Sequence, residues 1–204
     1  MGYTTEFEGE FTLDKPLKPE HAQYLQAFQS TRRMRRLTKA DIDAGQLEAI
    51  QRDCGNRVGA VAFAPCDDLP DPVRTAVGLP VGPQGAYFVG GGGFAGQDKD
   101  DSIVDYNQPP TGQPSLWCQW EPNEEGTTIR WDGAEKFYEY TAWLQYLIHH
   151  FLAKWGYVVN GEVTWQGEER SDVGKIVVKN NEVTTKEGRV VFDGDEDDED
   201  DEDD

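Results

Sequence analysis

The residues best suited to hold a charged ligand are the arginines of Thr31–Lys39, where Arg32, Arg33, Arg35 and Arg36 fall within five positions. A guanidinium is a planar fork that can hold two oxygens at once, so such a run suits phosphate or carboxylate. It equally suits a solvated helix end, or a docking site for the acidic C-terminus of this chain, and the three readings stay open. Ala86-Tyr87-Phe88-Val89 reads as a short strand entering Gly90–Gly93, whose amides, with Gly91 and Gly92 at the centre, could cradle phosphate. Neither the Gly-Lys-Ser/Thr ending of a nucleotide-binding loop nor a clean dinucleotide fingerprint accompanies them. A surface loop or lid is therefore the first reading and a phosphate cradle the second.

Asp98, Asp100, Asp101 and Asp105 supply the oxygens that hard cations want, but the glycine and closing glutamate of a calcium loop are missing, so a solvated acidic loop is preferred and no metal is implied. His149 and His150 are adjacent and point roughly 100° apart on a helix, which separates them too far for a paired metal site and leaves surface residues as the default. Glu121, Glu124, Glu125, Asp132 and Glu135 bracket a hairpin. Catalysis by two of them would need a geometry that spacing does not establish. Trp117 and Trp120, with Trp131, Trp143, Trp155 and Trp165, supply either an aromatic core or a ring-lined pocket and partner hot spot.

The elements that must position these groups centre on residues 115–165. Ser115–Trp120 and Thr127–Trp131 read as an antiparallel hairpin turned at Pro122–Gly126. Asp132 and Glu135 have the spacing of a capping box, and Phe137, Tyr140, Leu144, Leu147, Ile148, Phe151 and Trp155 then recur at three- and four-residue steps. That periodicity predicts one long amphipathic helix over 133–155. Tyr157–Val159, Asn160-Gly161 and Glu162–Trp165 spell strand, type I′ turn and strand. Lys175–Lys179, Asn180-Asn181 and Glu182–Thr185 repeat the pattern. Thr5–Leu13 reads as a first strand at one edge of the resulting meander, followed by a helix over 20–30 that docks Tyr24, Leu25 and Phe28. Residues 41–53 suit a further short helix, and Val58–Ala64 a buried strand or helix.

The expected fold is α+β: one long amphipathic helix packed on a mainly antiparallel sheet, with Gly/Pro-rich loops. Residues 1–192 form a single domain in this reading, and 193–204 a disordered acidic tail. That tail holds eleven acidic residues and one glycine of a chain whose net charge is -20, which leaves -9 for residues 1–192. Self-repulsion opposes its collapse. The balance disfavours direct binding to nucleic acid and favours a partner protein with a basic surface, a cation, or imitation of nucleic acid. No apolar run is long enough for a membrane span and no secretion signal opens the chain, so cytoplasmic residence is expected. Cys54, Cys66 and Cys118 are too few and too scattered for a disulfide framework, and free thiols are expected.

The run Gly112-Gln113-Pro114-Ser115-Leu116-Trp117-Cys118-Gln119-Trp120, the pieces Trp131-Asp132-Gly133 and Glu135-Lys136-Phe137-Tyr138, and the final Trp155-Gly156-Tyr157, Asn160-Gly161-Glu162-Val163 and Trp165-Gln166-Gly167 resemble an uncharacterised family of bacterial and bacteriophage proteins. Met1–Thr4, Phe7–Gly9 and Thr31–Arg36 look similar as well, so that the resemblance covers most of residues 1–187. It implies provenance and carries no active site or substrate. The first functional expectation is a non-enzymatic cytosolic protein-interaction module, a phage-derived modulator or inhibitor of a host protein. The alternatives are a binder of, or enzyme on, a nucleotide or other phosphorylated small molecule, using the arginines and Gly91-Gly92, and a structural self-associating protein. No cofactor is implied.

Overall fold

The computed structural model describes residues 2–53, 63–90 and 101–191. Cys54, most of Val58–Ala64, Gly91, Gly92, Asp98, Asp100 and the acidic residues 193–204 lie outside the described residues.

In chain order the described elements are β1 (Thr5–Leu13), α1 (Pro19–Gln29), β2 (Arg35–Arg36), α2 (Lys39–Asp43), α3 (Leu47–Asp53), α4 (Pro72–Ala76), β3 (Ile103–Asp105), β4 (Trp120–Pro122), β5 (Thr128–Trp131), α5 (Tyr140–Leu147), β6 (Val159–Gly167), β7 (Val173–Lys179) and β8 (Glu182–Glu187). Six strands form one antiparallel sheet in the order β4-β5-β1-β6-β7-β8, and β2 pairs with β3. The architecture is α+β with a mainly antiparallel sheet, as expected from the patterning. The single long helix is not present: α1, at eleven residues, is the longest α-helix described.

Alternation decides which face of the sheet is covered. Phe7, Phe11, Val163, Trp165, Ile176 and Val178 join the helix-side core with Tyr24, Phe28, Trp143 and Phe151, whereas Glu6, Glu8, Glu10, Glu162 and Thr164 face solvent. The Phe7 ring makes edge contacts with Trp120, Phe137 and Tyr140, the last at 4.9 Å between centroids. A smaller cluster of Leu37, Ile50 and Val104 sits under β2 and β3.

Three local expectations are corrected. The helix starts at Tyr140, not Gly133, because Gly133, Lys136 and Glu139 take φ of 80°, 64° and 57°. Asp132 is accordingly not its cap; the Asp132 carboxylate accepts from the Ala134 amide in a turn that Asp-Gly favours. After Leu147 the chain widens into a π-helical turn over Ile148–Leu152, with the Ala153 amide bonded to the Ile148 carbonyl. Second, Ser115–Gln119 is irregular, and the hairpin forms only from β4 and β5. Asn123 closes it by accepting from the Thr127 and Thr128 amides.

The third correction concerns Asn160-Gly161, which is no turn. It lies inside the nine-residue β6, pairing with Thr12 and Phe11 of β1, so β1 is an interior strand and not an edge. Gly161 has φ 131° and Gly9, on the facing strand, φ 105°; a Cβ on either would stand 2.9 or 2.8 Å from a carbonyl oxygen across the pair. The pair of glycines thus admits a close approach of two backbones, which local sequence does not distinguish from a turn. The hairpin at Asn180-Asn181 does form, with both residues left-handed at φ 51° and 71°. Its turn is tied to the start of β6, where Val159 N–H donates to Asn181 and Asn180 N–H donates to Asn160.

Candidate functional site

Ala86–Val89 is buried without being a strand, and the arginine run explains how. The Ala86 carbonyl accepts from Arg33 and from Gln113, the Phe88 carbonyl from Arg33, the Tyr87 carbonyl from Tyr24, and the Val89 amide donates to Asp71. Side chains thereby satisfy backbone groups that a neighbouring strand would otherwise have to meet. Arg33 is 2% exposed and Arg36 likewise, with their guanidinium carbons 4.0 and 3.8 Å from the Phe28 and Phe88 ring centres. Arg36 also donates to Ser102, while Arg32 donates to the Tyr106 carbonyl and to Asn107. Burial lowers the Arg33 pKa to about 10.

Thus Arg33 and Arg36 gather on the segment just before Gly90, with N–H groups turned to protein acceptors. Arg32 and Arg35 are half-buried, and Arg35 pairs through its backbone with Asp105. Gly91 and Gly92 are outside the described residues. Trp120 is 1% exposed in the core, its indole N–H donating to the Tyr140 carbonyl at 2.8 Å.

Trp117 has a different setting. It lines a groove of about 790 Å³ bounded by the C-terminal turn of α1 (Gln29 and Ser30), the irregular segment through Pro109, Pro114 and Leu116, and the loop from Asp132 to Tyr138. Two prolines, a leucine and two aromatic rings make much of the wall apolar, and Tyr138 is 50% exposed. The irregular backbone of 115–119 is held by side chains: Trp143 donates its indole N–H to Ser115 at 2.7 Å, and Gln119 donates to the Glu135 carbonyl. The guanidinium carbon of Arg32 lies 5.9 Å from the centre of the Trp117 ring.

Polar groups converge at one end. Asp132 accepts from the Ala134 amide at 2.8 Å and from the Gln29 side-chain amide, while the Trp131 indole N–H reaches Gln119 at 3.2 Å. Burial raises the Asp132 pKa from its ordinary value, and the charge of Glu121 adds to the rise, against the hydrogen bonds from Ala134 and Gln29. Glu135 and Lys136 complete the lining. No cationic side chain forms an ion pair with Asp132 among the described residues. Lys136 takes a left-handed φ of 64° within this wall, a conformation that costs a non-glycine residue on the order of 1 kcal/mol.

Of the residues singled out from the sequence as ligand-binding, only Trp117 lines this groove, together with Asp132 and Glu135 of the carboxylates that bracket the hairpin. Gln29, Asp132 and Tyr138 were not singled out as binding residues. The signal for Asp132 lay in Trp131-Asp132-Gly133, since Asp-Gly marks a turn at least as well as a helix start. His149 is exposed, as the surface reading expects, but His150 departs from it: it is half-buried, its Nδ1 3.0 Å from the Tyr87 hydroxyl and its ring 4.1 Å from that of Tyr146. His21 is buried as well, stacked on Trp155. Cys66 and Cys118 are buried, and burial pushes the Cys118 thiol up to about 12.

No family model matches the chain, and neither a curated protein nor a solved structure matches it. No helix among the described residues is long and apolar enough to cross a membrane. The groove's geometry is therefore the basis for a functional reading.

Proposed function

We propose that the protein is a non-enzymatic interaction module that captures an extended segment of a partner protein in the groove between α1 and the Asp132–Tyr138 loop. The segment has an apolar or proline side chain for the wall of Trp117, Leu116, Pro109 and Pro114, followed by a lysine or arginine for Asp132. One observation carries this reading: a half-buried carboxylate with no described ion-pair partner stands at the polar end of an apolar groove. A ligand cation there gains an ion pair whose desolvation is already part-complete in the free protein. Aromatic-lined grooves accept proline-rich extended segments at low ordering cost, because such a ligand is already ordered before it binds.

The chain's acidity supports the same partner. A net charge of -20 raises the encounter rate with a basic protein, while the groove supplies specificity. Selection of a random peptide library on the immobilised full chain tests the proposal. The expected outcome is enrichment of peptides with an apolar or proline residue close to lysine or arginine, whose binding falls at least about tenfold in Trp117→Ala and in Asp132→Asn. Enriched peptides without a basic residue, or binding indifferent to both substitutions, would overturn it.

A further inference from the structure

The six-stranded sheet ends on β8, and the hydrogen-bonding pattern states which of its backbone groups are spent. Lys179 and Glu182 flank a two-residue turn and face each other, so they form the hydrogen-bonded pair that closes the hairpin. Counting along the ladder by twos, Thr184 and Lys186 also direct their N–H and C=O at β7. Val183, Thr185 and Glu187 turn theirs outward to a free edge, where no further strand is described.

The side chains of that edge complement themselves. Glu182, Thr184 and Lys186 share the solvent face, and Val183, Thr185 and Glu187 share the helix side, where Thr185 and Glu187 border a hollow of about 370 Å³ beside the first turn of α5. An antiparallel copy of β8 centred on Thr184 sets Val183 opposite Thr185 of the second copy, which pairs the outward backbone groups. In the same register Glu182 faces Lys186 of the second copy, and Lys186 faces its Glu182. Shifting the centre by one residue to Thr185 sets Lys186 against Thr184 and loses both ion pairs.

The geometry points to β8 as a self-association edge: two copies of this chain pair antiparallel through Glu182–Glu187, continuing the sheet across a twofold axis at Thr184. The occupant is a second copy because the charge pattern is complementary to its own reverse, as an isologous contact requires. An edge lysine ordinarily blunts unwanted strand addition. Here the register centred on Thr184 gives Lys186 a glutamate partner.

Sedimentation of the full chain over about a hundredfold range of concentration tests the edge, because a contact this short gives a concentration-dependent dimer. The mass is expected to rise from 22.9 kDa toward twice that value. Lys186→Glu should hold it at the lower mass, and this variant is not expected to harm the fold, since residue 186 faces Lys175 on β7 and gains an opposite charge there. Adding Glu182→Lys should restore the dimer by exchanging the charges. Thr185→Pro, which removes an outward N–H and no bond to β7, should abolish it with an unchanged circular dichroism spectrum. A mass that stays at 22.9 kDa, or a dimer indifferent to Lys186→Glu and Thr185→Pro, overturns the inference. So does a monomer that pairs this edge with a strand of another protein instead.

Discussion

Arg33 lies with its guanidinium carbon 4.0 Å from the centre of the Phe28 ring and holds the 86–88 segment against α1 from inside the molecule. Its hydrogen bonds go to the Ala86 and Phe88 carbonyls and the Gln113 side chain, not to a carboxylate. A planar fork meets all three acceptors, whereas an ammonium group is a compact point charge. Arg33→Lys should therefore destabilise the fold by about 2–4 kcal/mol, through unmet buried acceptors and a more costly buried charge. Urea denaturation measures this. A loss below about 0.5 kcal/mol, the level of an ordinary surface substitution, would remove the structural role assigned to Arg33.

Asp132 sets stability against binding. Its raised pKa means that the folded state disfavours the ionised form, so its contribution is most favourable at low pH and is lost as pH rises through the folded pKa. Asp132→Asn should raise the unfolding midpoint at neutral pH while weakening a basic peptide ligand. Binding to the native protein should also fade on acidification as the carboxylate protonates. Thermal melts and peptide titrations at two pH values check both directions.

His21 and His150 act in the opposite sense. Burial lowers both pKa values, with neighbouring His149 and Lys154 adding to the effect at His150. A depressed histidine pKa contributes stability that is present above the unfolded value, 6.5, and is lost as pH falls from there toward the folded pKa. The Tyr157 hydroxyl already accepts from the Lys18 amide at 2.9 Å, which favours its donating to a neutral His21. Stability should thus decline as pH drops below about 6.5, and His150→Gln should flatten part of the slope. Denaturation midpoints across this range would show it; a midpoint independent of pH counts against both buried settings.

Gly161 tests the sheet itself. Gly161→Ala would combine an unfavourable positive φ with a Cβ 2.9 Å from the Glu10 carbonyl oxygen, and is expected to cost about 1–3 kcal/mol. The same substitution at exposed Gly45, where φ is also positive but nothing lies within 4 Å, should cost less. Equal losses at the two positions would mean that the backbones of β1 and β6 do not approach as described.

Local patterning is sufficient for β1, α1, the second strand of the β4–β5 hairpin and the β7–β8 hairpin, because each rests on near-neighbour physics: alternation, helical spacing of Tyr24, Leu25 and Phe28, and asparagines that tolerate left-handed backbone. The α+β class followed from the same signals. What the sequence by itself did not determine was the use made of ambiguous residues. Asn160-Gly161 satisfies a turn and a close strand pair equally well, and only the presence of Thr12 and Phe11 opposite it selects the second. Phe137 keeps the helical spacing but is buried from a loop, since Gly133, Lys136 and Glu139 adopt left-handed conformations there. The groove depends still more on tertiary placement: Gln29, Trp117, Asp132 and Tyr138 come from three separated segments, and their convergence is a property of how α1 and the irregular chain pack over the sheet. Periodicity reports which side of an element is apolar; the tertiary structure decides what that side meets.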